Sequence, residues 1–300
     1  MRRAGTRRVP VALVLAALLA VAPVPVAGAA EYPVRGDSEP RITEETPYVP
    51  SPRIVVDTML RMAGVNARDF LIDLGSGDGR IIITAARELR ARGFGVDYDP
   101  RLVRLATENA AREGVSDSTA FYQQDIFKTD LGQATVVTMY LLPEYNAVLK
   151  PRLLALRPGT RIVSHDYGIG DWEPDAQETI PVPEKPVGAM KQSTIYVWVV
   201  PAQVAGRWRS RVQTVRGIAD LEIDIAQRNQ HITGTARVRG CEVPIERPFL
   251  KSSYLSFRLE AGGETLLFQG HVSNDRITGE QIRGERHTRW RAPKMGSARG

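Results

Sequence analysis

Cysteine is the scarcest side chain in this 300-residue protein, with Cys241 standing alone. That excludes an intramolecular disulfide framework and a cysteine-rich zinc site. Histidine is almost as rare. His165, His231, His271 and His287 show no H-E-x-x-H or comparable spacing, so no metal centre is expected. The first thirty residues lack any acid. They carry four arginines, then a long Ala/Val/Leu run that ends in the small residues Ala27, Gly28, Ala29 and Ala30. This is the plan of a secretory signal peptide over residues 1–30, with a charged start, an apolar middle and a small-x-small cleavage site. Its apolar run is short and broken by prolines, which argues against a bilayer-spanning anchor. Membrane contact is therefore expected only through this segment, and the mature chain is expected outside the cytoplasm, in the periplasm.

The formal net charge of +6 is largely a property of that leader. Without its four arginines, 36 Lys+Arg stand against 34 acids, about +2. No nucleic-acid partner is expected on this charge balance. The mature length exceeds what one ordinary core needs, so two domains are expected.

The most informative stretch is Phe70 to Arg80, FLIDLGSGDGR. A short apolar run ends in glycines at alternate positions, Gly75, Gly77 and Gly79, and a helix-compatible run follows from Ile81 to Arg92. The pattern reads as strand, tight turn and helix. Glycine allows positive φ and a close approach of ligand to backbone, while the helix start aims unpaired N–H groups over the loop. The spacing is one residue shorter than the dinucleotide fingerprint, which argues against a nicotinamide cofactor. A second strand, GFGVDYDP from Gly93, ends in Asp97, 24 residues beyond Asp73. An acid there is placed to accept both hydrogen bonds of a ribose diol. Asp99 before Pro100 reads as the N-cap of a helix over Arg101 to Arg112. A third strand, Thr119 to Gln124, leads into Asp125-Ile126-Phe127.

The segment DLGSGDGR resembles the first motif of class I S-adenosylmethionine-dependent methyltransferases. That resemblance implies S-adenosylmethionine as cofactor, bound by Asp73, Gly75, Ser76, Gly77, Gly79, Asp97 and Tyr98. Asp125 would receive the adenine amino group and Ile126 would hold the ring. It also implies an α/β fold with a Rossmann-like seven-stranded sheet in the order 3-2-1-4-5-7-6. The remaining elements are assigned to Ala134–Met139, a helix from Pro143 broken or restarted at Pro151, Thr160–Ser164, and a closing hairpin of Thr179–Pro183 with Thr194–Val200. Ahead of the first strand, PYVPSP introduces a helix with Ser51 as its cap, Pro52 at its first position and Val55, Met59 and Met62 on its apolar face.

The span from Pro47 to about Pro174 is similar to the mitochondrial lysine methyltransferases that modify the ATP synthase c-ring protein. Leu142-Pro143-Glu144, Leu149-Lys150 and Arg161–Ser164 resemble the disruptor-of-telomeric-silencing type of lysine methyltransferase. The fourth-strand segment TMYLLPEYN lacks the Asn-Pro-Pro-Tyr type of motif that grips a nucleobase amine or a glutamine amide. By these resemblances the chain methylates a protein lysine or a small amine. Tyr48 would cover the cofactor and the acceptor channel, with Tyr140 and Glu144 lining the catalytic site. His165-Asp166 has the residue types of a base pair but reads better as a solvated loop. The other reading is an exported, non-catalytic protein that keeps a nucleoside pocket.

From Val204 the pattern changes to short alternating strands, WRSRV, LEIDIAQ, HITGTARV, YLSFRLE, ETLLFQGHV and DRITGEQIRG, separated by turn residues. The division expected is thus a leader (1–30), a flexible lead-in (31–46), a methyltransferase domain (47–201), an antiparallel β-rich, barrel-like domain (204–292) and a basic tail (293–300).

Overall fold

A computed structural model describes residues 48–188 and 190–296. The leader, the lead-in, Pro47 and most of the basic tail lie outside the described residues.

Among the described residues, seven strands and four helices build the part up to Val199. They run α1 (Arg53–Met62), β1 (Phe70–Leu74), α2 (Arg80–Leu89), β2 (Arg92–Asp97), α3 (Pro100–Arg112), β3 (Thr119–Gln123), β4 (Val136–Met139), α4 (Pro143–Leu154), β5 (Arg161–His165), β6 (Ala176–Pro181) and β7 (Gln192–Val199). The sheet order is β3-β2-β1-β4-β5-β7-β6, the order expected from sequence. β1 to β5 pair in parallel, whereas β7 runs antiparallel to both β5 and β6.

Alternation along each central strand divides its side chains between two cores. Leu71, Val136 and Val163 join Val55, Met59, Ile82 and Ala106 on the face covered by α1, α2 and α3. Ile72, Val137 and Ile162 join Leu149, Leu153 and Trp198 on the face covered by α4. The carboxyl ends of β1, β2, β4 and β5 therefore open at one edge, where a doubly wound sheet holds its ligand.

Local chemistry revises two details. Asp99 caps α3 as read, accepting from the Arg101 N–H at 2.7 Å. Ser51 does not cap α1. That helix starts after Pro52 with no side-chain cap, because the Ser51 hydroxyl is engaged elsewhere. Pro151 does not break α4, which runs through it to Leu154. The proline falls in the last turn, where it gives up its own i→i−4 bond without ending the helix.

The second part contains β8 (Gly206–Thr214), β9 (Gly217–Arg228), β10 (His231–Val238), β11 (Cys241–Pro244), β12 (Glu246–Lys251), β13 (Tyr254–Ala261), β14 (Glu264–Ser273), β15 (Arg276–Arg283) and β16 (Arg286–Pro293). Apart from β11 and β12, each pairs antiparallel with its neighbour in chain order. β11 and β12 are separated only by Ile245, where the chain passes from one sheet to the other: β11 pairs in the sheet of β8–β10 and β12 in the sheet of β13–β16. The outer strands meet. Trp208 bridges to Lys294, the Met295 N–H donates to the Arg207 carbonyl at 2.7 Å, and Ser210 Oγ donates to the Arg291 carbonyl at 2.7 Å. The interior of this barrel-like meander is filled by side chains, among them the contacting rings of Phe257, Phe268 and Trp290.

The turn between β9 and β10 reaches the loop after β5. Arg228 pairs with Asp171 at 2.6 Å and Gln230 donates to the Glu173 carbonyl at 2.8 Å. Asp171 also pairs with Lys150. Hydrogen bonds from Lys150 and Arg228 hold its carboxyl down at about 2.

Candidate active site

A cavity of about 600 Å³ opens where β1, β2 and β4 end. Its floor is the glycine loop. The N–H groups of Gly75 and Ser76 both donate to the Val96 carbonyl at 2.9 Å, which folds the loop back over β2. Gly77 has φ of +53°, and a Cβ there would lie 2.4 Å from Tyr48 Cε2. The ring of Tyr48 thus rests on bare backbone, and only glycine allows the two to approach this closely.

Carboxylates converge on this space. Asp97 sits at the end of β2, where its Oδ2 accepts from the Gly77 N–H at 2.8 Å and its Oδ1 from the Asp99 N–H at 3.0 Å. Burial raises its pKa, and those N–H groups partly offset the effect. Asp73, at 2 % exposure, accepts from Thr138 Oγ1 at 2.7 Å. Burial pushes its carboxyl up to about 7. Asp78 behaves oppositely: burial would raise it, but the fork of Arg80 at 2.6 Å wins and lowers it. Arg80 also donates to the Ser51 carbonyl at 2.7 Å, which ties the segment before α1 to the loop. Burial, then the charge of Asp78, pushes the Tyr48 phenol up to about 12.

The structure brings together most of the residues expected from sequence. Tyr48, Asp73, Gly75, Ser76, Gly77, Asp97, Tyr98, Ile126 and Tyr140 all line the cavity. Gly79, Asp125 and Glu144 are not among its lining residues. A Cβ on Gly79 would lie 2.7 Å from Phe121 Cζ and 2.9 Å from Ala106 Cβ, so this glycine lets α2 and the loop pack against β3 and α3. Asp125 Oδ1 accepts from the Phe127 N–H at 2.8 Å, an Asx turn that presents Ile126 to the cavity. Glu144 is exposed in the first turn of α4.

The His165-Asp166 pair is not the solvated loop expected. His165 is 1 % exposed, with Ser51 Oγ 2.9 Å from Nδ1, Ser193 Oγ 2.9 Å from Nε2 and the Tyr140 ring centroid 3.9 Å away. Burial lowers its pKa, opposed by Asp166 and reinforced by Lys185. This polar cluster joins residues far apart in sequence, and no local motif marks it.

Comparison with known proteins places this geometry. The ANTKMT methyltransferase domain matches residues 73–176. A protein-lysine N-methyltransferase of Saccharolobus islandicus (strain REY15A) is 42 % identical over 156 residues, which is 51 % of this chain and 93 % of that protein. The chain belongs to the same methyltransferase family. This S-adenosylmethionine-dependent enzyme is also 34 % identical over 134 residues to the adenine nucleotide translocase lysine N-methyltransferase of Mus musculus, covering 44 % of the chain and 58 % of that relative. Among solved structures, an RNA methyltransferase from Salinibacter ruber in complex with S-adenosyl-L-homocysteine shares 47 % identity over 52 % of this chain and 96 % of that one, with a TM-score of 0.47.

The cavity of the methyltransferase fits its cofactor on structural grounds. Ser76 Oγ is buried in the cavity wall with no hydrogen-bond partner among the described residues, a donor and acceptor left for a ligand. The carboxyl groups of Asp73 and Asp97 in the same wall are acceptors of the kind that hydroxyl and ammonium groups require.

Proposed function

We propose that this enzyme transfers the methyl group of S-adenosylmethionine to the ε-amine of a protein lysine. The single observation that carries the reading is the 42 % identity spanning 93 % of the archaeal protein-lysine N-methyltransferase.

In this reading Asp97 accepts from the ribose diol, while Gly75, Ser76 and Gly77 pass beneath the methionine and ribose. Ile126 packs on the adenine, and Asp73 faces the amino-acid portion. Tyr98, beside Asp97 and 45 % exposed, forms the outer rim. The cofactor supplies an activated methyl group. The chain's own residues then have three tasks: to hold the acceptor in line, to exclude water, and to receive the amine in its neutral form. Tyr48 and Tyr140 both stand in the cavity wall. An aromatic, desolvated wall disfavours an ammonium ion and so releases its proton to solvent without a dedicated base. Glu144, on the exposed first turn of α4, orients the incoming protein segment from outside the cavity.

Residues 1–30 act as an export signal in this proposal, which places the mature enzyme in the periplasm with a protein of the cell envelope as its acceptor. Residues 204–292 form a β-rich domain with its own apolar core. Calorimetric titration of the mature protein with S-adenosylmethionine, followed by labelled transfer to an envelope-protein extract and peptide mapping, tests both halves. Label confined to lysine is the expected outcome. Label on carboxylates, or on small molecules only, overturns the lysine assignment.

A further inference from the structure

Asp166 follows β5 with a left-handed backbone, φ of +61°, which a non-glycine residue adopts at a cost. The conformation aims its carboxylate at four groups. Oδ1 accepts from the Thr194 N–H at 3.1 Å. Oδ2 lies 2.6 Å from Lys185 Nζ, 3.4 Å from His165 Nε2 and 3.4 Å from the Tyr140 hydroxyl, which donates to it. Lys185, on the β6–β7 connection, is 9 % exposed and neutralises the carboxylate. Tyr140 stands in the cavity wall, stacked against Tyr167 at 6.1 Å.

A phenol has one proton to give and lone pairs to accept with. Since the Tyr140 proton points at Asp166, its oxygen can meet a ligand only as an acceptor. Burial, with the charge of Asp166 behind it, raises the Tyr140 pKa and keeps that proton in place. We propose that Asp166 fixes the Tyr140 hydroxyl as a hydrogen-bond acceptor facing the cavity, so that the site selects methyl acceptors carrying an N–H and rejects carboxylates. This inference rests on the amine reading above. A neutral primary amine donates one N–H to Tyr140 Oη, and its lone pair is then left to form the C–N bond as the C–S bond breaks. The resulting secondary ammonium returns a proton to solvent. A carboxylate has no hydrogen to donate and meets the phenol oxygen lone pair to lone pair. Asp166 is a positioning residue here, since it acts through Tyr140, with Lys185 and His165 fixing it from behind.

The test uses the full mature chain, tritiated S-adenosylmethionine, and poly-L-lysine or poly-L-glutamate as acceptor. Tyr140→Phe and Asp166→Ala are each expected to lower kcat/KM for poly-L-lysine about tenfold, the worth of one hydrogen bond. Because both remove the same interaction, the double variant should lose no more than either single one. Asp166→Glu should recover part of the loss, and the cofactor affinity of the Asp166 variants, read by calorimetry, should stay within about twofold of the parent. Losses that multiply, an Asp166→Ala variant with unchanged kcat/KM, or label on poly-L-glutamate would overturn the assignment. If Asp166→Ala does not fold, Asp166→Glu with and without Tyr140→Phe makes the same comparison. Failure of the unaltered enzyme to label poly-L-lysine overturns the amine reading itself, and with it this inference.

Discussion

At the scale of single residues, the cavity is defined by atoms that leave no space for alternatives. Gly77 combines a left-handed backbone with a Tyr48 ring that a Cβ would strike at 2.4 Å. Gly77→Ala is therefore expected to weaken cofactor binding at least about tenfold, from backbone strain of about 1 kcal/mol and displacement of the ring. Calorimetry of Gly77→Ala with and without Tyr48→Ala separates the two, since removing the ring should restore part of the affinity. Asp97→Ala removes the acceptor proposed for the ribose diol, so it should cost about 1–3 kcal/mol of cofactor affinity, and it also leaves the Gly77 and Asp99 N–H groups without theirs. Unchanged affinity would remove Asp97 from the ribose position. Asp73 carries a signature in pH. Its folded pKa of about 7 lies above the ordinary value of 3.8, so between these limits the folded state holds a proton that the unfolded state has lost. Its contribution to stability is full below about pH 4 and declines as pH rises through 7. Denaturant unfolding of Asp73→Asn without cofactor should show a flatter dependence over that window, and parallel curves would contradict the buried, protonated acid.

The scale of elements separates what is legible in the sequence from what is not. Strand, glycine turn and helix at Phe70–Leu89 are readable because each signal is local: apolar run, spaced glycines, then a helix-compatible run. The sheet order follows from the family that the loop resembles. Ser51 misleads because a serine before proline has the form of an N-cap, whereas its true partner, His165, lies 114 residues away. The Tyr140–Asp166–Lys185 arrangement is equally non-local: strands adjacent in space but distant in sequence create it. The C-terminal strands β11 and β12 are hidden in the sequence by Pro244 and Pro248 and by the change of sheet at Ile245. The last strand, Arg286–Pro293, has the charge of a basic tail, yet its buried Trp290 belongs to the barrel interior. Asp171 gives this scale its own test. Its carboxylate is about half exposed between Lys150 and Arg228, so Asp171→Asn should cost no more than about 1 kcal/mol after solvent screening. A folded pKa held below the ordinary carboxylate range means that the contribution is present above about pH 4 and is lost as pH falls toward 2. Thermal unfolding of parent and variant should converge at the acid end of that window.

For the whole molecule, chemistry and bulk lie in different places. The cavity belongs to the seven-stranded sheet, while the barrel-like meander has a packed interior built on aromatic rings. Phe268→Ala should create a cavity there and cost about 3–5 kcal/mol. If the β-rich part is a separate domain, cofactor affinity should survive that change even as the first unfolding transition moves down. Simultaneous loss of both would show one cooperative unit. Methyl transfer to a lysine amine leaves a mass signature on the acceptor. Mature enzyme incubated with S-adenosylmethionine carrying a deuterated methyl group and an envelope-protein extract should yield peptides with deuterated methyl groups on lysine ε-nitrogens, absent with Gly77→Arg. Deuterated methyl on glutamate or aspartate, or on no protein while cofactor is still consumed, would contradict it.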